Sequence, residues 1–141
     1  MLANQPPSDQ SIPPSFEKVR DAAIKNLPSN LIVIVTMAEN GILLLDLPRN
    51  HFSHFAVDSH DSWKLDTVVN VSGSGDTFTA GVSRKLADIG GRADLSSEIL
   101  EGAVCFGLEA AQYSLRSKTA ISVDLRRDLV GGGWKRTCLN N

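Results

Sequence analysis

The chain of 141 residues is short of several things, and each shortage removes a class of function. It has no basic excess: 14 Lys and Arg stand against 16 Asp and Glu, a formal net charge of -2. Proteins that hold nucleic acid or an anionic membrane by charge usually show the opposite balance, so neither partner is expected. No apolar run approaches the ~20 residues that cross a bilayer as a helix. The opening MLANQPPSDQSIPPS lacks the basic and apolar regions of a secretory signal. Only two cysteines occur, Cys105 and Cys138, with no CxxC pair. Cys105 sits within an apolar helical pattern, which suits a reduced core residue. A cytoplasmic, reducing location is the default expectation. There is no internal repeat. His51, His54 and His60 lie close together, yet no Cys or well-spaced carboxylate set completes a metal site. On one strand His51 and His54 point to opposite faces, so the histidines are expected at the surface or in loops.

What is present is ordinary globular material, with 42% hydrophobic and 21% charged residues. The length suggests one domain that buries roughly 65–70% of its unfolded surface. Residues 1–14, with Pro6, Pro7, Pro13 and Pro14 among polar residues, read as a disordered linker. Residues 15–127 carry the elements of a fold, and 128–141, with Gly131-Gly132-Gly133, reads as a flexible tail.

Ser15 can cap a helix to about Leu27, with Phe16, Val19, Ala23 and Leu27 on one face and Pro28 after it. Leu31–Thr36 (LIVIVT) is a dense β-branched run that suits a strand buried on both faces, as in a parallel sheet. Glu39-Asn40-Gly41 supplies a turn into a second run, Ile42–Leu47, and the pair resembles a hairpin with Gly41 free to adopt positive φ. His51–Val57 reads as a shorter strand, Asp58–Trp63 as a loop and Lys64–Val71 as strand again. From Asp76 the residues Phe78, Val82, Leu86 and Ile89 mark a helix that Gly90-Gly91 ends. Asp94 can cap a longer helix to about Leu115, with Ile99, Ala103, Phe106, Ala110 and Tyr113 on its face. Gly102, Ala103, Gly107, Ala110 and Ala111 make that helix thin, which allows either tight packing or a flat ligand against it. Ser117–Val123 reads as a loop or short final strand. The order of elements is that of an α/β fold.

The stretch with chemistry in it is Val68–Gly81, VVNVSGSGDTFTAG. An apolar run leads into Gly73-Ser74-Gly75, and Asp76 opens a helix. The first N–H groups of a helix have no intrahelical acceptor and the dipole is positive there, so the turn is a candidate anion site. A carboxylate beside it fits one chemical role, taking a proton from a hydroxyl that attacks a phosphate held by those N–H groups. The competing reading is a plain turn followed by an Asp that the dipole favours. The turn is not a Walker A loop, because no Lys-Ser/Thr follows, and Gly-Ser-Gly-Asp-Thr-Phe does not meet GxGxxG.

The same stretch resembles the C-terminal signature of the ribokinase-like (PfkB-type) sugar and nucleoside kinases. Gly73, Gly75, Asp76, Thr77, Phe78 and Gly81 match it. Asn70 stands where Asp is common and Ser72 where Thr is, a form similar to the pseudouridine kinase branch. Val35–Gly41 resembles the family's Thr-x-Gly-x-x-Gly hairpin, with Ala38 in place of the first Gly. Ala103–Leu115 and Ala120-Ile121-Ser122-Val123 resemble the small-residue helix and loop that border the adenine.

The resemblance implies the C-terminal half of a ribokinase-like three-layer α/β/α fold, a mixed sheet with flanking helices. It implies an ATP-dependent phosphotransferase acting on a sugar or nucleoside hydroxyl, with Mg²⁺. Asp76 is then the general base and Gly73, Ser74 and Gly75 the anion hole. Thr36 and Gly41 lie near the nucleotide, and Gly107, Leu108 and Ala111 near the adenine. Asn70 and Ser72 fall where many members bind a monovalent cation, K⁺. The family's sugar-binding Gly-Gly region, lid strands and Asn-x-x-Glu motif do not appear. The expectation is therefore a truncated kinase with weak ATP binding, negligible turnover alone and a sheet edge open to a partner chain or missing N-terminal half. The alternative is a non-catalytic nucleotide-binding or partner-pairing remnant of the same fold.

Overall fold

β2, Ile42–Asp46, is buried along its whole length, and the other elements are arranged on either side of it. The computed structural model describes residues 16–56, 68–89, 95–119 and 136–138, the last three by backbone alone. In chain order these form α1 (Phe16–Asn26), β1 (Ile32–Thr36), β2, β3 (His51–Phe55), α2 (Ser74–Asp88), α3 (Ser97–Arg116) and β4 (Arg136–Cys138). Single 3-10 turns, Ala38–Asn40 and Leu47–Arg49, join the first three strands. The sheet order is β1-β2-β3-β4, and every described pairing is antiparallel.

β2 sits in the middle because its alternate side chains face two different cores. Leu43 and Leu45, with Phe52 of β3, meet Phe16, Val19 and Ala23 of α1. Ile42 and Leu44, with Phe55, meet Phe78 and Val82 of α2 and Leu100, Val104 and Leu108 of α3. The layers are thus helix, sheet and helix pair, an α/β fold with flanking helices. Each of these buried Leu and Phe side chains contributes about 1.5–3 kcal/mol of transfer free energy.

Several expectations shift here. The strand buried on both faces is β2, not the Leu31–Thr36 run, which forms β1 in an antiparallel hairpin with both ends exposed. Composition alone did not separate the two runs; what differs is that β2 has a described strand on each side. The bond from Met37 N–H to the Gly41 carbonyl, 2.8 Å, sets the register. Alternation then turns the backbone groups of Ile32, Ile34 and Thr36 away from β2, toward the side of β1 on which no described strand lies. His51–Val57 is a strand over His51–Phe55, so His51 and His54 are sheet residues rather than surface or loop ones. Val68–Val71 is not a strand; Lys64–Asp66 and Thr67 lie outside the described residues. The tail beyond residue 127, expected to be loose, places Arg136–Cys138 against Ser53–Phe55.

The helix ends also move. α2 starts at Ser74, two residues before Asp76, and stops at Asp88 with Ile89 as its cap; Gly90 and Gly91 lie outside the described residues. α3 is capped by Ser96, whose Oγ accepts from the Ile99 N–H at 3.3 Å. Asp94, the expected cap, lies outside the described residues, as do Ser15 and His60.

Polar groups tie α3 to the far end of the sheet. Buried Asp46 accepts from Arg49 Nη1 at 3.1 Å on both oxygens and from Ser97 Oγ at 3.0 Å. Buried Glu101 accepts from Ser53 Oγ at 2.7 Å and meets His51 Nε2 at 2.8 Å. These bonds satisfy groups that burial would otherwise leave costly.

Candidate functional site

The opposite end of the sheet is where α2 begins. Two backbone N–H groups, of Val69 and Asn70, donate to the Leu115 carbonyl at 2.7 and 3.1 Å. That carbonyl belongs to the last turn of α3, where helix carbonyls lack intrahelical donors. The incoming segment is thereby fastened to α3. Asn70 Oδ1 then accepts from the Ser72 N–H at 2.9 Å, a side-chain-made turn. Gly73 has φ 77 and ψ -2, left-handed geometry that glycine adopts at no steric cost, and α2 starts with the next residue.

The donors at this helix start are distributed unevenly. Ser74 N–H lies 3.4 Å from the Val71 carbonyl, and Ser74 Oγ donates to the same oxygen at 2.9 Å. Thr77 N–H is the first to bond within the helix, to Gly73 at 2.9 Å. Among the described residues, the N–H groups of Gly73, Gly75 and Asp76 find no acceptor. Of the three residues expected to form the anion hole, Gly73 and Gly75 have free donors and Ser74 has a long turn bond. Asp76 adds a donor of its own. The Asp76 side chain is exposed on the first turn of α2 and makes no hydrogen bond or ion pair among the described residues.

This helix start opens on a cleft of about 680 Å³, within the size range of ligand pockets. Ser74, Gly75 and Phe78 of α2 form one wall, and Val68 and Val71 the approach to it. Leu108, Ala111 and Leu115, spaced along one face of α3, form an apolar slab. Thr36, Ala38, Glu39 and Ile42 of the first hairpin close the other side. The structure therefore brings together Thr36, Ser74, Gly75, Leu108 and Ala111 from three separated segments.

Two glycines expected near the nucleotide do not line the cleft. Gly41 has φ 93, and a Cβ there would fall 2.0 Å from the Phe55 carbonyl oxygen. It makes the hairpin turn possible and touches β3. Gly107 faces α2: a Cβ would come 2.7 Å from Val82 Cγ2 and 2.9 Å from the Phe78 carbonyl oxygen. Gly81 on α2 is its counterpart, with an added Cβ only 2.9 Å from Gly107 Cα. The thin part of α3 around Gly107 serves close helix packing, while its Leu108–Ala111 side serves the cleft.

Asn70 and Ser72 are engaged with each other, and the described residues hold no group of three His, Cys, Asp or Glu that could bind a metal ion. His51 and His54 meet Glu101 and the Asn40 carbonyl on opposite faces of β3. Ala38 and Leu115 of the lining fall within the two segments that the resemblance placed by the nucleotide and the adenine. Sequence reasoning missed Ile42, Val68, Val71 and Phe78 as cleft residues and did not single out Glu39. It also missed the buried bond between Thr77 Oγ1 and Ser114 Oγ, 2.7 Å, which locks α2 to α3 one residue after Asp76. Its signal was a hydroxyl on each of two otherwise apolar helix faces.

Residues 14–126 match the family model described as pfkB family carbohydrate kinase. None of the curated proteins searched matches the chain. The family match runs from just before α1 to beyond α3 and takes in both the glycine turn and every wall of the cleft. On that extent of agreement, the chain belongs to the pfkB family of carbohydrate kinases.

Proposed function

We propose that this chain is an ATP-dependent phosphotransferase domain that moves a γ-phosphoryl group to a hydroxyl of a sugar or nucleoside. The observation that carries this is the junction of the cleft with the α2 N-terminus. There Ser74 and Gly75 line the cleft, and the Asp76 carboxylate, just outside that lining, shares one helical turn with N–H groups that find no acceptor among the described residues.

The residues present fit a nucleotide. The slab of Leu108, Ala111 and Leu115 offers a flat apolar surface for a base, with Thr36 across from it. The donors of Gly73, Gly75 and Asp76 suit phosphate oxygens at a helix start. Mg²⁺ ordinarily binds through substrate phosphates with one or two carboxylates, and when bound it neutralises their charge. The chain's own part is positioning and charge stabilisation, which is most of what phosphoryl transfer requires. Asp76, exposed and without a partner among the described residues, accepts the proton of the attacking hydroxyl as general base. The glycine turn holds the transferring group with donors that need no rearrangement. Within this reading, pseudouridine is the finer substrate proposal, and K⁺ near Asn70 and Ser72 the finer cofactor proposal.

The second reading is a nucleotide-binding module without turnover. It is favoured by the exposure of Asp76 and by the outward backbone groups of β1, which no described strand pairs and where a partner strand would extend the sheet. One experiment separates the two. ATP binding is measured by calorimetry, and ADP release is followed with a panel of sugars and nucleosides, in the native chain and in Asp76→Asn. Release that Asp76→Asn lowers by about a hundredfold or more at unchanged ATP affinity supports the kinase reading. Binding without release supports the module, and no ATP binding at all overturns both.

A further inference from the structure

His54 lies on β3 opposite Leu43, with its side chain on the α1 face of the sheet. Its ring stacks on Phe16 of α1, centroids 3.8 Å apart and planes at 29°. Its Nε2 lies 2.7 Å from the Asn40 carbonyl oxygen. A carbonyl only accepts, so Nε2 carries the hydrogen and donates it.

Asn40 closes the 3-10 turn Ala38–Asn40, and Ala38 and Glu39 of that turn are one rim of the cleft. The turn holds Ala38 at φ 48, a left-handed conformation that a residue with a Cβ rarely adopts. Strained backbone persists where its surroundings over-determine it. The internal bonds, Asn40 N–H to Met37 at 2.9 Å and Gly41 N–H to Ala38 at 3.1 Å, set the shape of the turn. They do not anchor it to α1. His54 does, since one ring face meets Phe16 and its tip meets Asn40.

We infer that His54 is a positioning residue for the cleft: its bond to Asn40 and its stack on Phe16 hold the turn Ala38–Asn40 where Thr36, Ala38 and Glu39 meet the nucleotide. The binding part of this inference rests on the nucleotide reading above; the anchoring part does not.

The test uses His54→Phe, which keeps a stacking ring and loses the donor, and His54→Gln, which keeps an amide donor near the Nε2 position. In His54→Phe, amide hydrogen exchange at Asn40 and Gly41 speeds up and ATP binds about five- to tenfold more weakly, the loss of about one hydrogen bond. The melting temperature stays within a few degrees. His54→Gln restores most of both. Adding Ala38→Gly to His54→Phe recovers part of the affinity, because a relaxed turn needs less holding, and this shows as non-additivity in the double-mutant cycle. Unchanged exchange at Asn40 and Gly41 in His54→Phe overturns the inference. So does a His54→Gln variant as impaired as His54→Phe at equal stability. If the native chain binds no ATP, the nucleotide reading fails while the exchange measurement still decides the anchoring. If His54→Phe does not fold, His54→Asn, too short to reach the carbonyl, takes its place in the same comparison.

Discussion

Gly107→Ala puts the helix contact and the cleft in direct opposition. A methyl at this position would meet Val82 Cγ2 at 2.7 Å, Phe78 Cδ2 at 2.9 Å and the Phe78 carbonyl oxygen at 2.9 Å. The two side chains are buried in the core, at 6% and 5% exposure, and have little room to turn. The carbonyl belongs to the backbone of α2 and moves only with the helix. Overpacking of this kind costs about 1–3 kcal/mol, and three simultaneous close contacts place it at the upper end. Replacing Gly by Ala in a helix interior returns about 1 kcal/mol. The net expectation is a destabilisation of about 1–2 kcal/mol. At this chain length that lowers the melting temperature by about 2–8 °C. Gly102→Ala is the control: it lies on the same helix, its added Cβ meets nothing within 4 Å, and it should stabilise by up to about 1 kcal/mol. Urea unfolding with a common m-value reads both variants. ATP affinity of the folded protein should stay within about twofold in Gly107→Ala, as one expects for a residue outside the cleft. Stabilisation equal to that of Gly102→Ala would refute the close helix contact. A tenfold affinity loss at unchanged stability would return Gly107 to the nucleotide.

Gly41→Ala should prevent stable folding, since the new Cβ would fall 2.0 Å from a backbone oxygen and φ is 93; soluble yield and thermal melting read this. Thr77→Val leaves Ser114 Oγ buried without its partner and should cost about 1–3 kcal/mol by urea unfolding, with part regained in Thr77→Val/Ser114→Ala. Burial pushes the Cys105 thiol above its ordinary range. Its thiolate is therefore disfavoured in the folded chain, so its contribution to stability is full below the unfolded thiol pKa of about 8.5 and is lost as pH rises through the folded value. Alkylation of Cys105 by iodoacetamide at pH 8 should accordingly be slower in the native chain than in urea.

Periodicity carried the local structure well where one neighbour decides a residue's environment. Phe16, Val19 and Ala23 do form the inner face of α1, although Leu27, expected with them, lies past the helix end and is exposed, and the Gly41 turn does join two strands. It carried less where two neighbours compete. The expected inner face of α3 included Ile99 and Tyr113, whereas Leu100, Val104 and Leu108 are buried with Ala103, Phe106 and Ala110. α3 packs against both the sheet and α2, so its buried arc is wider than one stripe. The same limit applied to small residues: Gly107 and Ala111 are one turn apart, yet one meets α2 and the other the cleft.

By itself the sequence determined the order of α1, the first three strands, α2 and α3, the left-handed turn at Gly41, and a glycine turn delivering Asp76 to the first turn of a helix. These depend on local sterics and hydrogen bonding, which residue type controls directly. Tertiary structure alone decided that β2 rather than β1 is the strand buried on both faces. It also decided that α2 and α3 touch through Gly81 and Gly107, and that Thr36, Gly75 and Ala111 share one cleft. Those outcomes depend on which surfaces meet across the sheet, and an apolar or small residue looks the same in sequence whichever surface it meets.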